Sequence, residues 1–188
     1  MTGERWDLYD AQGNRTGKYM IRGEEVPAGY YHLAVHIWPI NSKGEFLVQR
    51  RAATVQWKPN LWAVTGGSAI SGEDALTAAR RELLEEIGLD ANAEEMHQIA
   101  FLKRTNSFCS VFVVQTDWPE EAFTLQKEEV SAVAWCTRSK LTRMLSDNML
   151  YNYGDSYYRM LFDYSRRKCP QPLRRQGRRS RVHADRYE

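Results

Sequence analysis

The sequence predicts a mixed α/β or α+β layered domain, and three observations carry that expectation. Segments rich in β-branched and aromatic residues lie on both sides of one stretch, 73–87, whose apolar residues recur at three to four positions, and further helical periodicity follows near the C-terminal end. The 188 residues suit one domain. A content of 43% hydrophobic and 27% charged residues is that of a globular chain, which excludes wholesale disorder and fibrous or collagenous classes.

Taken in order, residues 4–30 are polar with turn signals at Ala11-Gln-Gly-Asn14 and Pro27-Ala-Gly29, and predict a short hairpin leading to the core. The segments 32–40 and 45–50 are strand-like and are joined across Asn41-Ser-Lys-Gly44, so they predict a second hairpin. A short strand is expected at 61–65, ending at Gly66-Gly67. In the helix, Leu76, Ala79, Leu83 and Ile87 form the apolar stripe, Ser71 is the candidate cap and Gly88 the C′ stop. Strands are expected at 98–104, 108–116 and 130–136, then helices at 141–150 and 157–164. The domain reading is an N-terminal hairpin or extension at 1–30, a catalytic domain at 31–165 and a basic, disordered tail at 166–188.

The formal charge of +2 is unevenly spread. From Ser165 onward there are nine Lys/Arg against Asp185 and Glu188, which leaves residues 1–164 at −5. The tail can reach nucleic-acid phosphates, but it lacks interleaved aromatics, so a solvated extension without a dedicated partner is the preferred reading. No apolar run approaches the ~20 residues that cross a bilayer, and no signal-like apolar region follows the N-terminus, so no membrane partner is expected. Cys109, Cys136 and Cys169 are odd in number and widely spaced, which predicts free thiols and a reducing cytoplasm.

The chemistry is concentrated on the helix. At about 100° per residue, Glu82, Glu85 and Glu86 fall within an arc of roughly 100°, and like charges so placed destabilise a helix. A hard divalent cation removes that repulsion, because Mg²⁺ takes carboxylate oxygens and shares its remaining positions with water and substrate phosphates. Gly66-Gly67 lets backbone approach an ion or phosphate and offer a carbonyl. The alternative is a solvated face paired with Arg80 and Arg81.

Spacing decides between them. Residues 67–89 match G-x5-E-x7-R-E-U-x-E-E-x-G-U at Gly67, Glu73, Arg81, Glu82, Leu83, Glu85, Glu86, Gly88 and Leu89. A chance match at one register is rarer than about 1 in 10⁸ on average residue usage. The chain therefore resembles the Nudix hydrolases. That resemblance implies an α/β/α sandwich with a central mixed sheet, and Mg²⁺- or Mn²⁺-dependent hydrolysis of a nucleoside diphosphate linked to another moiety or of another organic diphosphate. It implies that Glu82, Glu85 and Glu86 bind metal and activate water, with the Gly66 carbonyl as a further ligand. Arg81 would orient the glutamates, Glu73 would anchor the loop, and Glu82 is the favoured base. Glu129, with Glu128 second, is the expected extra acid before the strand at 130–136. Arg50 or Arg51, at the end of Phe46-Leu-Val-Gln49, would meet the substrate phosphate, and strand alternation allows only one of them to face the cleft. Trp57, Trp62 and Phe108 are candidates for base stacking, with core packing preferred for at least two.

The stretches Tyr31-His-Leu-Ala-Val35, 41–52 and Trp57-Lys-Pro-Asn-Leu-Trp62 are also similar to isopentenyl-diphosphate isomerase, over roughly residues 5–136. The isomerase's catalytic cysteine and glutamate align with Gly66 and Ser107, and a metal-site histidine and glutamate align with Ser68 and Thr105; His32 alone matches. The expectation is thus a hydrolase of an isomerase-like subgroup, with His32 and His36 packing near the core. An isomerase and a non-catalytic nucleotide- or RNA-binding module remain as alternatives. A homodimer is kept open because dimers are common in similar proteins.

Overall fold

The computed structural model describes residues 3–168, and the tail from Cys169 onward lies outside the described residues. The elements are β1 (Arg5–Tyr9), β2 (Arg15–Ile21), β3 (His32–Ile40), β4 (Phe46–Arg51), β5 (Trp62–Ala63), β6 (Thr65–Ser68), α1 (Ala75–Ile87), β7 (Met96–Lys103), β8 (Ser107–Gln115), β9 (Val130–Cys136), α2 (Arg138–Ser146) and α3 (Asp155–Lys168). The strand expected at 61–65 is two short ones, with the double glycine inside β6 rather than after it. Among the described residues no helix is long and apolar enough to cross a membrane.

The expected β3–β4 hairpin exists only at its turn. Its Asn41 side-chain oxygen takes the N–H groups of Lys43 and Glu45, but beyond Ile40 and Phe46 the strands separate. β3 turns to β8, parallel from His32↔Ser107 to Ile40↔Gln115, and to β6, antiparallel from Ala34↔Ser68 to Ile37↔Thr65. β4 turns instead to β5 and β9. The mixed sheet thus splits, and the gap between β4 and β6 is where polar side chains meet α1.

Two cores sandwich the sheet. On one face Leu83, Ile87, Ala78 and Ala79 of α1 pack on Val35, Ile37 and Phe112; on the other, Tyr157, Tyr158, Leu161 and Phe162 of α3 cover Trp38, Phe46, Val111 and Val113. This is the three-layer α/β/α arrangement. Asp74, not Ser71, caps α1, its carboxylate accepting from Thr77 N–H. Ser71 is unavailable because its hydroxyl donates to Asp7 of the N-terminal hairpin. Gly88 ends the helix at φ 72°, donating its N–H to the carbonyls of Leu83 and Leu84.

The N-terminal hairpin pairs β1 with β2 and docks on the domain. Tyr9 and Tyr31 exchange backbone bonds of 2.7 and 3.0 Å, Ser71 N–H donates to Arg5 O at 2.8 Å, and Gly72 N–H donates to the Asp7 carboxylate at 3.0 Å. Trp6 stacks on His32 with ring centroids 4.7 Å apart.

Candidate active site

Burial alone separates the three helix glutamates. Glu86, the penultimate residue of α1, is 4% exposed and faces the gap in the sheet. Its Oε2 accepts from Gly66 N–H at 3.0 Å and from Gln49 Nε2 at 2.9 Å, while Thr65 Oγ1 donates to Gln49 Oε1 at 3.1 Å and so sets the amide's orientation. Burial, then the charge of Glu82, push the Glu86 carboxyl up to about 8; Glu129 adds to this and the bonds from Gln49 and Gly66 oppose it.

Glu82, one turn earlier, has a side chain 13% exposed and pairs with Arg81 Nη1 at 2.9 Å. Burial raises its carboxyl, Arg81 opposes, and Glu85 and Glu4 add to the rise. Gly67 makes room for it: a Cβ there would lie 2.3 Å from Glu82 Oε1. Glu85, 52% exposed, takes the same Arg81 nitrogen at 3.1 Å.

Arg81 ties the loop to the helix. Its Nε and Nη2 donate to the two oxygens of Glu73 at 2.8 and 3.0 Å, Nη2 also donates to Ser68 O at 3.1 Å, and Nη1 serves Glu82 and Glu85. Every N–H of the guanidinium is thereby engaged. Glu73 in turn accepts from Ile70 N–H at 3.0 Å. The bonds to Glu73, first, and to the other acids hold Arg81 firmly charged.

Glu129 precedes β9 and is half-buried; its backbone carbonyl accepts from Ala52 N–H at 2.8 Å, and its Oε1 lies 3.9 Å from Arg22 Nη2. Glu128 is exposed, and its carbonyl takes the Thr54 hydroxyl. A register irregularity in the β9 pairing falls between Arg50 and Arg51, with Ser131 the extra residue on β9. Arg50 Nε donates to Asn60 O at 3.3 Å and Arg51 Nε to Trp57 O at 2.9 Å, so both lean on the 57–60 loop. Of the three stacking candidates, Phe108 is buried, Trp62 is half-buried and Trp57 is 48% exposed.

Among the described residues no three His, Cys, Asp or Glu side chains converge as a ready metal site. The donors around Glu86 are hard oxygens, as Mg²⁺ or Mn²⁺ requires. Glu82 and Glu85 are drawn to Arg81 instead, the arrangement that leaves their charges compensated. The residues fit such an ion by their chemistry and by the burial of Glu86, once the two Arg81-bound carboxylates swing inward. A cleft of about 680 Å³ between the N-terminal hairpin and the start of α1, lined by Tyr9, Arg15, Glu73, Asp74, Thr77 and Phe101, includes neither Glu82 nor Glu86, so it is not where these carboxylates act.

The sequence pattern described as NUDIX domain matches residues 30–157. The chain belongs to the Nudix family. Nudix proteins are hydrolases of pyrophosphate bonds and generally use divalent metals. A Nudix hydrolase of Listeria monocytogenes is 32% identical over 80% of this chain and 89% of its own length. Nudix hydrolase 3 of Arabidopsis thaliana is 34% identical over 90% of this chain and 24% of its own. Among solved structures, DR0079 of Deinococcus radiodurans superposes with a TM-score of 0.69 at 25% identity, covering 87% of this chain and 98% of that one.

Two parts of this Nudix site escaped sequence reasoning. Gln49 orients Glu86, and its signal was a polar residue at a core-facing position of an apolar strand. The N-terminal hairpin brings Glu4 and Arg22 beside the glutamates, and nothing local in residues 4–22 announces that. His36 is half-buried, its Nδ1 2.9 Å from the Tyr157 hydroxyl, and His32 Nδ1 lies 3.3 Å from Ser68 Oγ.

Proposed function

We propose that this chain is a Mg²⁺- or Mn²⁺-dependent hydrolase of a diphosphate linkage in a nucleoside diphosphate derivative or other organic diphosphate. The observation that carries the reading is the buried Glu86 carboxylate, gripped by Gly66 N–H and Gln49 and crowded by Glu82 and Glu129. Nothing in the apolar packing of α1 calls for an acid at that depth, and a buried carboxylate of raised pKa beside other acids supports a working role.

Glu85, Glu86, Glu82 and the Gly66 carbonyl are the residues that would hold the ion. When bound, a divalent cation neutralises charge on the diphosphate and acidifies the attacking water. Glu82, the less buried of the two raised carboxylates, takes the water's proton. Arg81 holds Glu82 and Glu85 in register with the loop through Glu73. Glu129 supplies a further acid from across the gap, and Arg50 and Arg51 are the basic residues that reach the 57–60 loop from β4. Attack by water needs no protein nucleophile. The isomerase alternative lacks an acid–base pair, since Gly66 and Ser107 stand at the positions it would use.

The test is phosphate release from a panel of organic diphosphates with Mg²⁺ and Mn²⁺, beside Mn²⁺ binding followed by electron paramagnetic resonance. Cation-dependent release by the wild type, absent in Glu86→Gln, supports the reading. Equal release by that variant removes the site assignment, and binding without turnover across the panel favours a non-catalytic module.

A further inference from the structure

We infer that Arg22, carried by the N-terminal hairpin, is a substrate-positioning residue that grips the diphosphate at the mouth of the glutamate site. This rests on the proposed hydrolase reading and deepens it.

Arg22 follows β2 and is anchored through its backbone N–H to Glu4 O at 2.8 Å. Its side chain is 57% exposed, with Nη1 3.3 Å from Glu4 Oε2 and Nη2 3.9 Å from Glu129 Oε1. Both acids act on the box glutamates: the charge of Glu4 is felt at Glu82 and that of Glu129 at Glu86. The guanidinium lies between these two acids, at the edge of the glutamate cluster.

The site needs a cation of this kind. Residues 1–164 carry a net −5, so an anionic substrate approaches against the field of the domain. Arg81 has no N–H to spare, and Arg50 and Arg51 have each committed Nε to a loop carbonyl. Arg22 is held only loosely, because exposed ion pairs contribute about 0–1 kcal/mol. A phosphate offers its planar fork a two-pronged, charge-assisted partner that outcompetes a carboxylate 3.9 Å away. Glu129 is also the acid that the proposed chemistry draws toward the cation, which leaves Arg22 a vacant prong. The base beneath it is firm: the hairpin is bolted to the loop that begins the Nudix box by Ser71 N–H to Arg5 O and Gly72 N–H to Asp7.

The experiment uses the full chain with Mg²⁺. It measures binding of methylenediphosphonate, a diphosphate that water does not cleave, and KM and kcat on the diphosphate hydrolysed fastest in the panel. Arg22→Ala should weaken methylenediphosphonate binding and raise KM about tenfold or more, the loss expected for a charged hydrogen bond. kcat should stay within about twofold, Arg22→Lys should recover part of the binding, and the melting temperature should not move. Unchanged binding and KM in Arg22→Ala, with an active wild type, would overturn the assignment and leave the hydrolase reading standing. A fall in kcat alone, or no recovery by lysine with a lowered melting temperature, would likewise overturn it. A wild type that neither binds methylenediphosphonate nor releases phosphate would sink the hydrolase reading and this assignment with it.

Discussion

Glu86 and His36 sit on opposite faces of the same split sheet, Glu86 buried and His36 half-buried, and their surroundings treat them differently. Glu86 projects from α1 among other acids, with Gln49 and Gly66 bonding its charged form. His36 faces α3 in a nest of rings, 4.6 Å from Tyr153 and 5.7 Å from Tyr157 between centroids, and burial with the Arg104 charge pushes it down to about 3. One group is kept chargeable by polar partners and stays within reach of working pH. The other is locked neutral and serves packing. Burial of an ionisable side chain is thus not in itself a sign of function; the company of like charges and backbone donors is.

The sharpest break in that comparison is Glu86→Gln, which should lower cation-dependent hydrolysis by on the order of 10²–10⁴-fold while far-UV dichroism stays that of the wild type. A variant equally active would place Glu86 with His36 as a packing residue. Gly67→Ala comes next. Its Cβ meets the flexible end of Glu82 rather than backbone, so the carboxylate is displaced and activity should drop about 10–100-fold, by the sensitivity of catalysis to small misplacements, with little change in melting temperature. On the other face, Tyr157→Phe removes the hydroxyl shared by His36 Nδ1 and, at 2.8 Å, Trp38 Nε1. Chemical denaturation should show a loss of about 1–3 kcal/mol for the stranded partners, and turnover should be unaffected.

The pH dependence of stability separates the two groups by sign. Without Mg²⁺, the folded Glu86 pKa of about 8 lies above the unfolded 4.5, so its contribution is present below pH 4.5 and is lost as pH rises toward 8. His36, at about 3 against 6.5, contributes fully above pH 6.5 and loses that contribution as pH falls toward 3. Thermal melts across pH should show both limbs. Glu86→Gln should flatten only the alkaline one, and Mg²⁺ should restore stability there because it binds the deprotonated carboxylate. A flat alkaline limb in the wild type would contradict the burial of Glu86.

Much of the site was legible because it is local. Glu82, Glu85, Glu86 and Arg81 lie within six consecutive residues of helix, and Gly88 ends it by a rule that depends on its own backbone. The mutual spacing of such residues survives whatever the rest of the chain does. The errors all came from long-range competition. Ser71 has the side chain of a cap, but Asp7, 64 positions away, claims its hydroxyl and Asp74 caps instead. The turn at Asn41–Gly44 forms as read, but β3 and β4 each find more apolar partners in β8 and β9 than in one another.

By itself, then, the amino-acid order determined the helix, its cluster of acids, the strand-rich composition on either side and the class of chemistry, since each follows from spacing along a few turns of backbone. Tertiary structure decided which of the three acids is buried, that Gln49 and Gly66 N–H hold it, and that the N-terminal hairpin docks on the loop before the helix. Those depend on which surfaces exclude water when the sheet splits, and desolvation is a property of everything packed around a group rather than of its neighbours in sequence.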